Sequence, residues 1–424
     1  MPDMWEGAKA YFGGVAKVGL GSVGVQAIAL LAAPILTRLY SPPDFGVGAA
    51  FAAVYSWVVV VASLRFEKSI LLARTNSGAE RFTRLALGAT VPVSLLVGIL
   101  SGAAVLLGAH PVFLLLPVTV LLGGSSRVVL HWLTANRHFG SVSRLRLRQS
   151  IASVISQIVF ALLGAGAFGI SLGQTMGLFL GAASPLRALA GGRSADHRLN
   201  MRALLRSGLR IRSLPLISAP STLVNNAGLY LPVVLIGGFF GAAAAGYFAL
   251  AQRLIGIPMQ TVGDSIGQAY AGAFSKVKGS EQERIFWQSV ALLAGVAVCA
   301  WAVAALVVRS QVVVLVFGPA FAPSEELIIP LAVAGGFQLV SSPVSQTILL
   351  RRRFGIQFGW DTLRASLVLG ALLVANYRGM TIVDACWTLA VVSSVSYVLS
   401  FFVSVLLLRD RRFRDGVQVS SPPV

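Results

Sequence analysis

Arg187-Ala-Leu-Ala-Gly-Gly-Arg193-Ser-Ala-Asp-His-Arg198-Leu-Asn-Met-Arg202-Ala-Leu-Leu-Arg206-Ser-Gly-Leu-Arg210-Ile-Arg212-Ser213 is the longest polar stretch of the chain, and it holds seven arginines. It lies at the midpoint of 424 residues, with six apolar runs before it and six after. The runs cover 14–36, 45–64, 85–108, 112–133, 149–166, 168–186, 214–237, 244–270, 286–308, 326–350, 356–376 and 381–408. Each is close to the roughly 20 residues needed to cross a hydrocarbon core. Lys and Arg crowd the gaps after runs two, four, six, eight and ten, and nearly vanish from the rest. A chain threaded to and fro through a bilayer keeps its cations on the cytoplasmic side, so alternate gaps should be basic.

The count supports that threading. On the basic side fall Lys9 and Lys17, five cations from Arg65 to Arg84, and four from Arg137 to Arg148. The central seven follow, then three from Lys276 to Arg284, four from Arg351 to Arg364, and four in the tail from Arg409 to Arg414. That is 29 of the 34 Lys and Arg. Arg38, Arg309 and Arg378 fall on the other side, and Arg127 and Arg253 lie inside runs. The expectation is an all-α integral membrane protein of about twelve transmembrane helices, with both termini cytoplasmic. Two six-helix lobes, 1–212 and 213–424, fit a transporter built from parallel halves. Residues 1–11 read as an interfacial segment, with Trp5 and Tyr11 at headgroup depth.

Composition agrees. The chain is 56% hydrophobic and only 12% charged, with mean hydropathy +0.80. A soluble protein of this length needs more charge to cover its surface. A net charge of +19 on a soluble chain would suggest nucleic acid, but these cations sit in short loops beside apolar runs. Topology and anionic membrane lipids account for them, and no nucleic-acid partner is expected. Cys299 and Cys386 lie inside runs and the four histidines lack ligand spacing, so no metal site is expected. Gly19-Leu-Gly21-Ser-Val-Gly24 matches a dinucleotide fingerprint, with Asp44 twenty residues on, but no strand precedes it. Close helix packing explains it better, and no cofactor is expected. The first run is too long for a cleaved signal and reads as a retained span.

Shifting the chain by 200 residues sets Gly46 on Gly246 and Gln26 on Asn226. It also pairs the Pro42-Pro43-Asp44-Phe45-Gly46 turn with Gly241–Gly246, a faint internal repeat. Polar residues inside the runs fall at helical spacing. Run eight carries Arg253, Gln260, Asp264 and Gln268; run seven carries Asn225, Asn226 and Tyr230; run ten carries Gln338. Run five carries Gln149, Ser153 and Gln157, run four Arg127 and His131, and run one Gln26. Such faces either line a polar path or glue helices together. An ionised Arg at mid-membrane costs about 2.5–3.5 kcal/mol, so Arg253 and Arg127 should face water, a partner or an anion. Two arginines against one acid, Asp264, suit an anionic cargo better than a cationic one.

Several segments together resemble the polysaccharide-transporter (Wzx-like) family of the multidrug/oligosaccharidyl-lipid/polysaccharide flippase superfamily. They are Pro34–Gly46 after run one, Leu64–Leu72 after run two, Gly246–Pro258 in run eight, Phe317–Phe321 before run ten, and Ser342–Ser345 within it. The resemblance implies two lobes around a central cavity, rocking between inward-open and outward-open forms. It implies a flippase for lipid-linked (polyprenyl-diphosphate) oligosaccharides in a bacterial inner membrane, beside polysaccharide polymerases and glycosyltransferases. Arg38, Arg65, Glu67 and Arg253 stand at its motif positions. The candidate substrate residues are Arg253, Arg127, Arg38, Gln26, Asn225, Asn226, Gln260 and Gln338, with Asp264 for ion coupling. No covalent step is expected, so the chain is not an enzyme. The alternative is a cation-coupled small-molecule antiporter, which needs acids at mid-depth that the first six runs do not offer.

Overall fold

The computed structural model describes residues 23–73, 75–191, 208, 211, 214–277, 279–351 and 353–409. The N-terminal interfacial segment, the start of the first run, most of the Gly19–Gly24 motif, most of the central basic stretch and the basic tail lie outside the described residues. Among the described residues there is no strand, and each apolar run forms helix. Among the described residues, seven helices are long and apolar enough to cross a membrane by length and composition. Their outer faces are apolar and open: Ile99, Leu106, Leu306 and Leu406 are all exposed. In water such faces would be a liability, whereas in a bilayer they are the lipid surface. This is a multi-pass membrane protein.

The chain divides into two compact units, 1–246 and 247–424. The first contains α1 (Val23–Leu39), α2 (Pro42–Val59), α3 (Glu67–Leu72), α4 (Asn76–Leu106), α5 (Leu116–Ala135), α6 (Phe139–Leu162), α7 (Gly166–Gly191) and α8 (Ala219–Phe240). Helix α2 starts where sequence chemistry says it should. Ser41 caps it, accepting from the Asp44 amide at 3.3 Å, and Pro42 opens the first turn. Asp44 also accepts from the Ala167 amide at 2.9 Å, so one carboxylate serves the starts of both α2 and α7.

Helices α6 and α7 run antiparallel on a ladder of small residues. A Cβ at Gly173, Gly177 or Gly181 would strike Gln157, Ser153 or Gln149 respectively, between 2.2 and 2.6 Å away. The polar stripe of run five is therefore packing glue, each polar side chain lying over a glycine of the facing helix. Gln149 also donates to Ser126 Oγ at 2.6 Å, tying α6 to α5.

Helix α2 lies along α8. Trp57 Nε1 donates to the Leu223 carbonyl at 2.9 Å toward one end of the pair. At the other end the faint repeat becomes a contact. A Cβ on Gly46 would sit 1.8 Å from the Ala242 oxygen, and one on Gly246 would sit 2.3 Å from the Pro42 oxygen. Pro42 and Ala242, like Gly46 and Gly246, are 200 residues apart, so the contact is reciprocal.

The second unit holds most of α9 (Ala242–Phe274), then α10 (Ser280–Arg309), α11 (Val312–Phe317), α12 (Ser324–Val344), α13 (Gln346–Leu350), α14 (Phe354–Tyr377) and α15 (Ile382–Arg409). Helix α12 packs on both α10 and α15. The Trp301 indole fills the space over Gly336, and its Nε1 donates to the Ala332 carbonyl at 2.8 Å. Ser341 donates to the Tyr397 carbonyl at 2.8 Å, so part of the run-ten stripe also serves packing. Tyr270, Phe274, Phe286, Leu293 and Leu339 form the core beneath.

Candidate functional site

The chain reverses sharply after α2. Leu64 and Arg65 both adopt positive φ (51° and 66°), a conformation that side-chain-bearing residues rarely take. Such strain persists where its surroundings enforce it, and it marks places worth a functional hypothesis. The reversal turns Arg65 and Glu67 inward. Arg65 is 8% exposed and Glu67 is fully buried. They form an ion pair at 3.9 Å, and Ser63 hydrogen-bonds the other carboxylate oxygen.

Helix α3, which starts at Glu67, packs against α4 and α5. Arg127 stands on α5 one turn beyond Gly123, where the Tyr55 hydroxyl takes up the space a side chain would fill. His131 Nδ1 lies 2.9 Å from the Arg127 carbonyl. Arg127 is near enough to act electrostatically on Arg65, Lys68, His131 and Arg146, and on Tyr55 and Tyr230. Four cations therefore share a neighbourhood with one acid. Burial depresses the pKa of the Arg65 guanidinium, with Glu67 opposing and Arg127 adding to the shift. Arg65 Nε, Arg127 Nε and Glu67 Oε1 are buried with no hydrogen-bond partner among the described residues. A buried donor left unpaired costs about 1–3 kcal/mol, more when charged, so two guanidinium groups hold unused capacity for an anion. Arginine binds phosphate oxygens in pairs, which makes these suitable donors for a phosphate or diphosphate.

Of the residues singled out from sequence, Arg127 belongs to this cluster. Asn225 and Asn226 are half-buried on α8, the helix that brings Tyr230 to Arg127. Gln26 and Arg38 are exposed on α1. The second unit holds the others. Arg253 is half-buried on α9, while Gln260, Asp264 and Gln268 are exposed farther along it, beyond Pro258. Gln338 is half-buried on α12.

One placement is corrected. Arg364, counted with Arg351–Arg353 on the cytoplasmic side although it falls inside run eleven, lies in α14 and is 6% exposed. Its guanidinium stacks on Trp360 at 4.9 Å and donates to the Tyr397 hydroxyl at 3.0 Å, while Gln357 donates to buried Asp361 one turn away. A charged pair three residues apart inside an apolar run was the available signal. Run eleven therefore adds an arginine and an acid to the two arginines and one acid counted inside the runs.

A family model described as polysaccharide biosynthesis protein matches residues 35–326. The chain belongs to that family. The matched span contains Arg38, Arg65, Arg127, Arg253 and Asp264, and excludes Gln26, Gln338 and Asp361. The chain is 24% identical to the succinoglycan biosynthesis transport protein ExoT of Rhizobium meliloti (strain 1021), over 96% of this chain and 82% of that one. It is 24% identical to the teichuronic acid biosynthesis protein TuaB of Bacillus subtilis (strain 168), over 45% of this chain. The alignment with TuaB, like that with the lipopolysaccharide biosynthesis protein WzxC of Escherichia coli (strain K12), spans about two fifths of the relative's length. In fold, the chain is similar to the lipid II flippase MurJ in its inward closed conformation. The TM-score is 0.68 at 12% identity, covering 92% of this chain and 87% of that one. It is also similar to an inward-facing multidrug resistance MATE family transporter of the MOP superfamily, with TM-score 0.62 at 15% identity, covering 91% and 96%.

Proposed function

We propose that the protein is a flippase for a lipid-linked (polyprenyl-diphosphate) oligosaccharide, working by alternating access in a bacterial inner membrane for surface-polysaccharide assembly. The observation that carries this reading is the cation cluster around Arg127, with two buried guanidinium groups holding unpaired N–H donors. Moving a diphosphate through hydrocarbon unaided is prohibitive, because stripping water from an ion costs several kcal/mol or more even after relaxation. Fixed cations replace that water, and polar faces on α8 and α9 accommodate sugars. The names of ExoT, WzxC and TuaB, and the fold shared with MurJ, support the same reading. It carries with it twelve membrane-crossing helices, lobes 1–212 and 213–424 around a central cavity, and both termini in the cytoplasm. The step is translocation with no covalent chemistry. Polymerases and glycosyltransferases act before and after it, and the basic loops meet anionic lipids.

The test is complementation of surface polymer in cells lacking their own transporter, beside pyrophosphate binding to the purified protein. Arg127→Ala should abolish polymer and weaken binding at least tenfold while the protein stays in the membrane, with Arg127→Lys intermediate. Normal polymer with Arg127→Ala would sink the assignment. Asp264, an exposed carboxylate on α9, favours a second reading as a cation-coupled small-molecule antiporter. Drug resistance conferred by the chain and lost in Asp264→Asn, with polymer unaffected, would select it.

A further inference from the structure

Polar side chains inside the apolar runs divide into those already engaged by protein and those that are not. On α6, Gln149, Ser153 and Gln157 lie over glycines of α7. On α12, Ser341 donates to the Tyr397 carbonyl. On α9, Thr261 and Ser265 donate to carbonyls one turn back, at 2.9 and 2.8 Å. Gln260, Asp264 and Gln268 differ from all of these. Each is exposed, and none has a hydrogen bond or an ion pair among the described residues. They stand four residues apart, on one face of α9. The flank beside that face is packed: a Cβ at Gly263 would lie 3.3 Å from Leu339, and one at Gly267 would lie 3.3 Å from Gln346. A carboxylate turned to hydrocarbon is costly, and such residues face water or a polar ligand instead. The face is therefore wet, and its hydrogen-bonding capacity is unspent.

The chemistry of these three side chains narrows the ligand. An ionised carboxylate only accepts hydrogen bonds, whereas a glutamine amide both donates and accepts. Sugar hydroxyls are the donors that Asp264 lacks, and a bond from hydroxyl to carboxylate is charge-assisted. Four residues of helix rise about 6 Å, so successive side chains stand about one pyranose ring apart. Charge narrows the ligand further. The nearest basic residues in sequence are Arg253, eleven residues before Asp264, and Lys276, twelve after it. Those separations are about 17 and 18 Å along a helix. No charged group among the described residues acts on Asp264 from a neighbouring helix either. The face therefore has the opposite sign to the cluster around Arg127. A neutral sugar brings donors to it, whereas a uronate brings a like charge and a carboxylate with no donor, so one is accepted and the other repelled.

We propose that the face of α9 carrying Gln260, Asp264 and Gln268 binds uncharged sugar residues of the transported glycan, and that Asp264 excludes uronic-acid residues from it. This rests on the flippase reading and deepens it by naming the sugar class that the second unit takes. The two ends of the cargo are then recognised by opposite chemistry. Cations in the first unit suit the diphosphate, and an acceptor-rich face in the second unit suits hydroxyls.

The test uses the full chain in lipid nanodiscs, with Cys299→Ser removing the exposed thiol and Ser265→Cys placing one beside Asp264. Mass spectrometry reads the rate at which that thiol is modified by a membrane-impermeant methanethiosulfonate. The thiol should react. The neutral tetrasaccharides isomaltotetraose and cellotetraose should protect it, and tetragalacturonate should not. Asp264→Asn keeps an acceptor and drops the charge, so tetragalacturonate should then protect. Its affinity should rise about fivefold, the factor for removing one of two unit charges about 4 Å apart in water. A thiol that never reacts would put the face against lipid or protein and overturn the proposal. So would a lack of protection by the neutral sugars, equal protection by tetragalacturonate before Asp264→Asn, or no gain for it afterwards. Protection by sodium ions in place of sugar would make Asp264 an ion site and overturn the proposal as well. In each of these cases the flippase reading stands if pyrophosphate still binds and surface polymer is still restored. Absence of both in the native chain would instead overturn that reading.

Discussion

Replacing Gly46 by Ala tests the crossing of α2 and α9 directly. The added methyl would lie 1.8 Å from the Ala242 oxygen, 2.7 Å from the Gly246 nitrogen and 2.8 Å from the Ala242 carbonyl carbon. Non-bonded heavy atoms rest near 3.5 Å, so the two helix starts must part by about 1.5 Å. All three obstacles are backbone, and no side-chain rotation relieves them. Overpacking of this kind costs about 1–3 kcal/mol, and a backbone obstacle puts this site at or above the upper end. Gly246→Ala meets the Pro42 oxygen at 2.3 Å and should cost about as much. The two changes relax one shared contact, so the double variant should cost clearly less than the sum of the singles. Thermal unfolding of detergent-purified protein reads this, with Gly88→Ala as the control, because nothing lies within 4 Å of a Cβ there. If Gly46→Ala unfolded with the control, or if the costs simply added, the reciprocal contact would not exist as described.

Other expectations follow from the same geometry. Glu67→Gln leaves Arg65 without its acid in a buried site, and breaking a buried pair costs about 3–5 kcal/mol; unfolding measurements should show that loss, while pyrophosphate binding at the cluster tightens rather than weakens. Gly177→Leu should abolish accumulation of folded protein in membranes, because its side chain would occupy the space of Ser153 and the Gln149 carbonyl; accumulation equal to the native protein would refute the α6–α7 ladder. Trp301→Phe removes the donor to the Ala332 carbonyl and should cost about 1 kcal/mol in thermal unfolding, whereas no loss would refute that bond.

The apolar runs were legible because their cause is local. Hydrocarbon thickness sets how many residues must be apolar, and a helix satisfies their backbone groups without reference to any neighbour. So the run read as 381–408 is a helix from Ile382 to Arg409, and the run read as 286–308 is one from Ser280 to Arg309. The basic gaps were legible for the same kind of reason, being a bias on short loops one at a time. Arg364 was counted with the loop cations although it falls inside the run read as 356–376, and the helix from Phe354 to Tyr377 contains it.

What only tertiary structure decided was which faces meet. The stripe Gln149, Ser153, Gln157 has the same spacing whether it lines a path or packs on a helix, and the glycines of α7 opposite it settled the matter. Arg65 and Glu67 were visible as motif positions, yet nothing local says that they turn inward toward Arg127, 62 residues away in sequence. That meeting depends on a strained reversal after α2 and on α3 packing against α5. Hydropathy and charge bias are properties of one segment in a bilayer, whereas a binding site is a property of several segments held against each other.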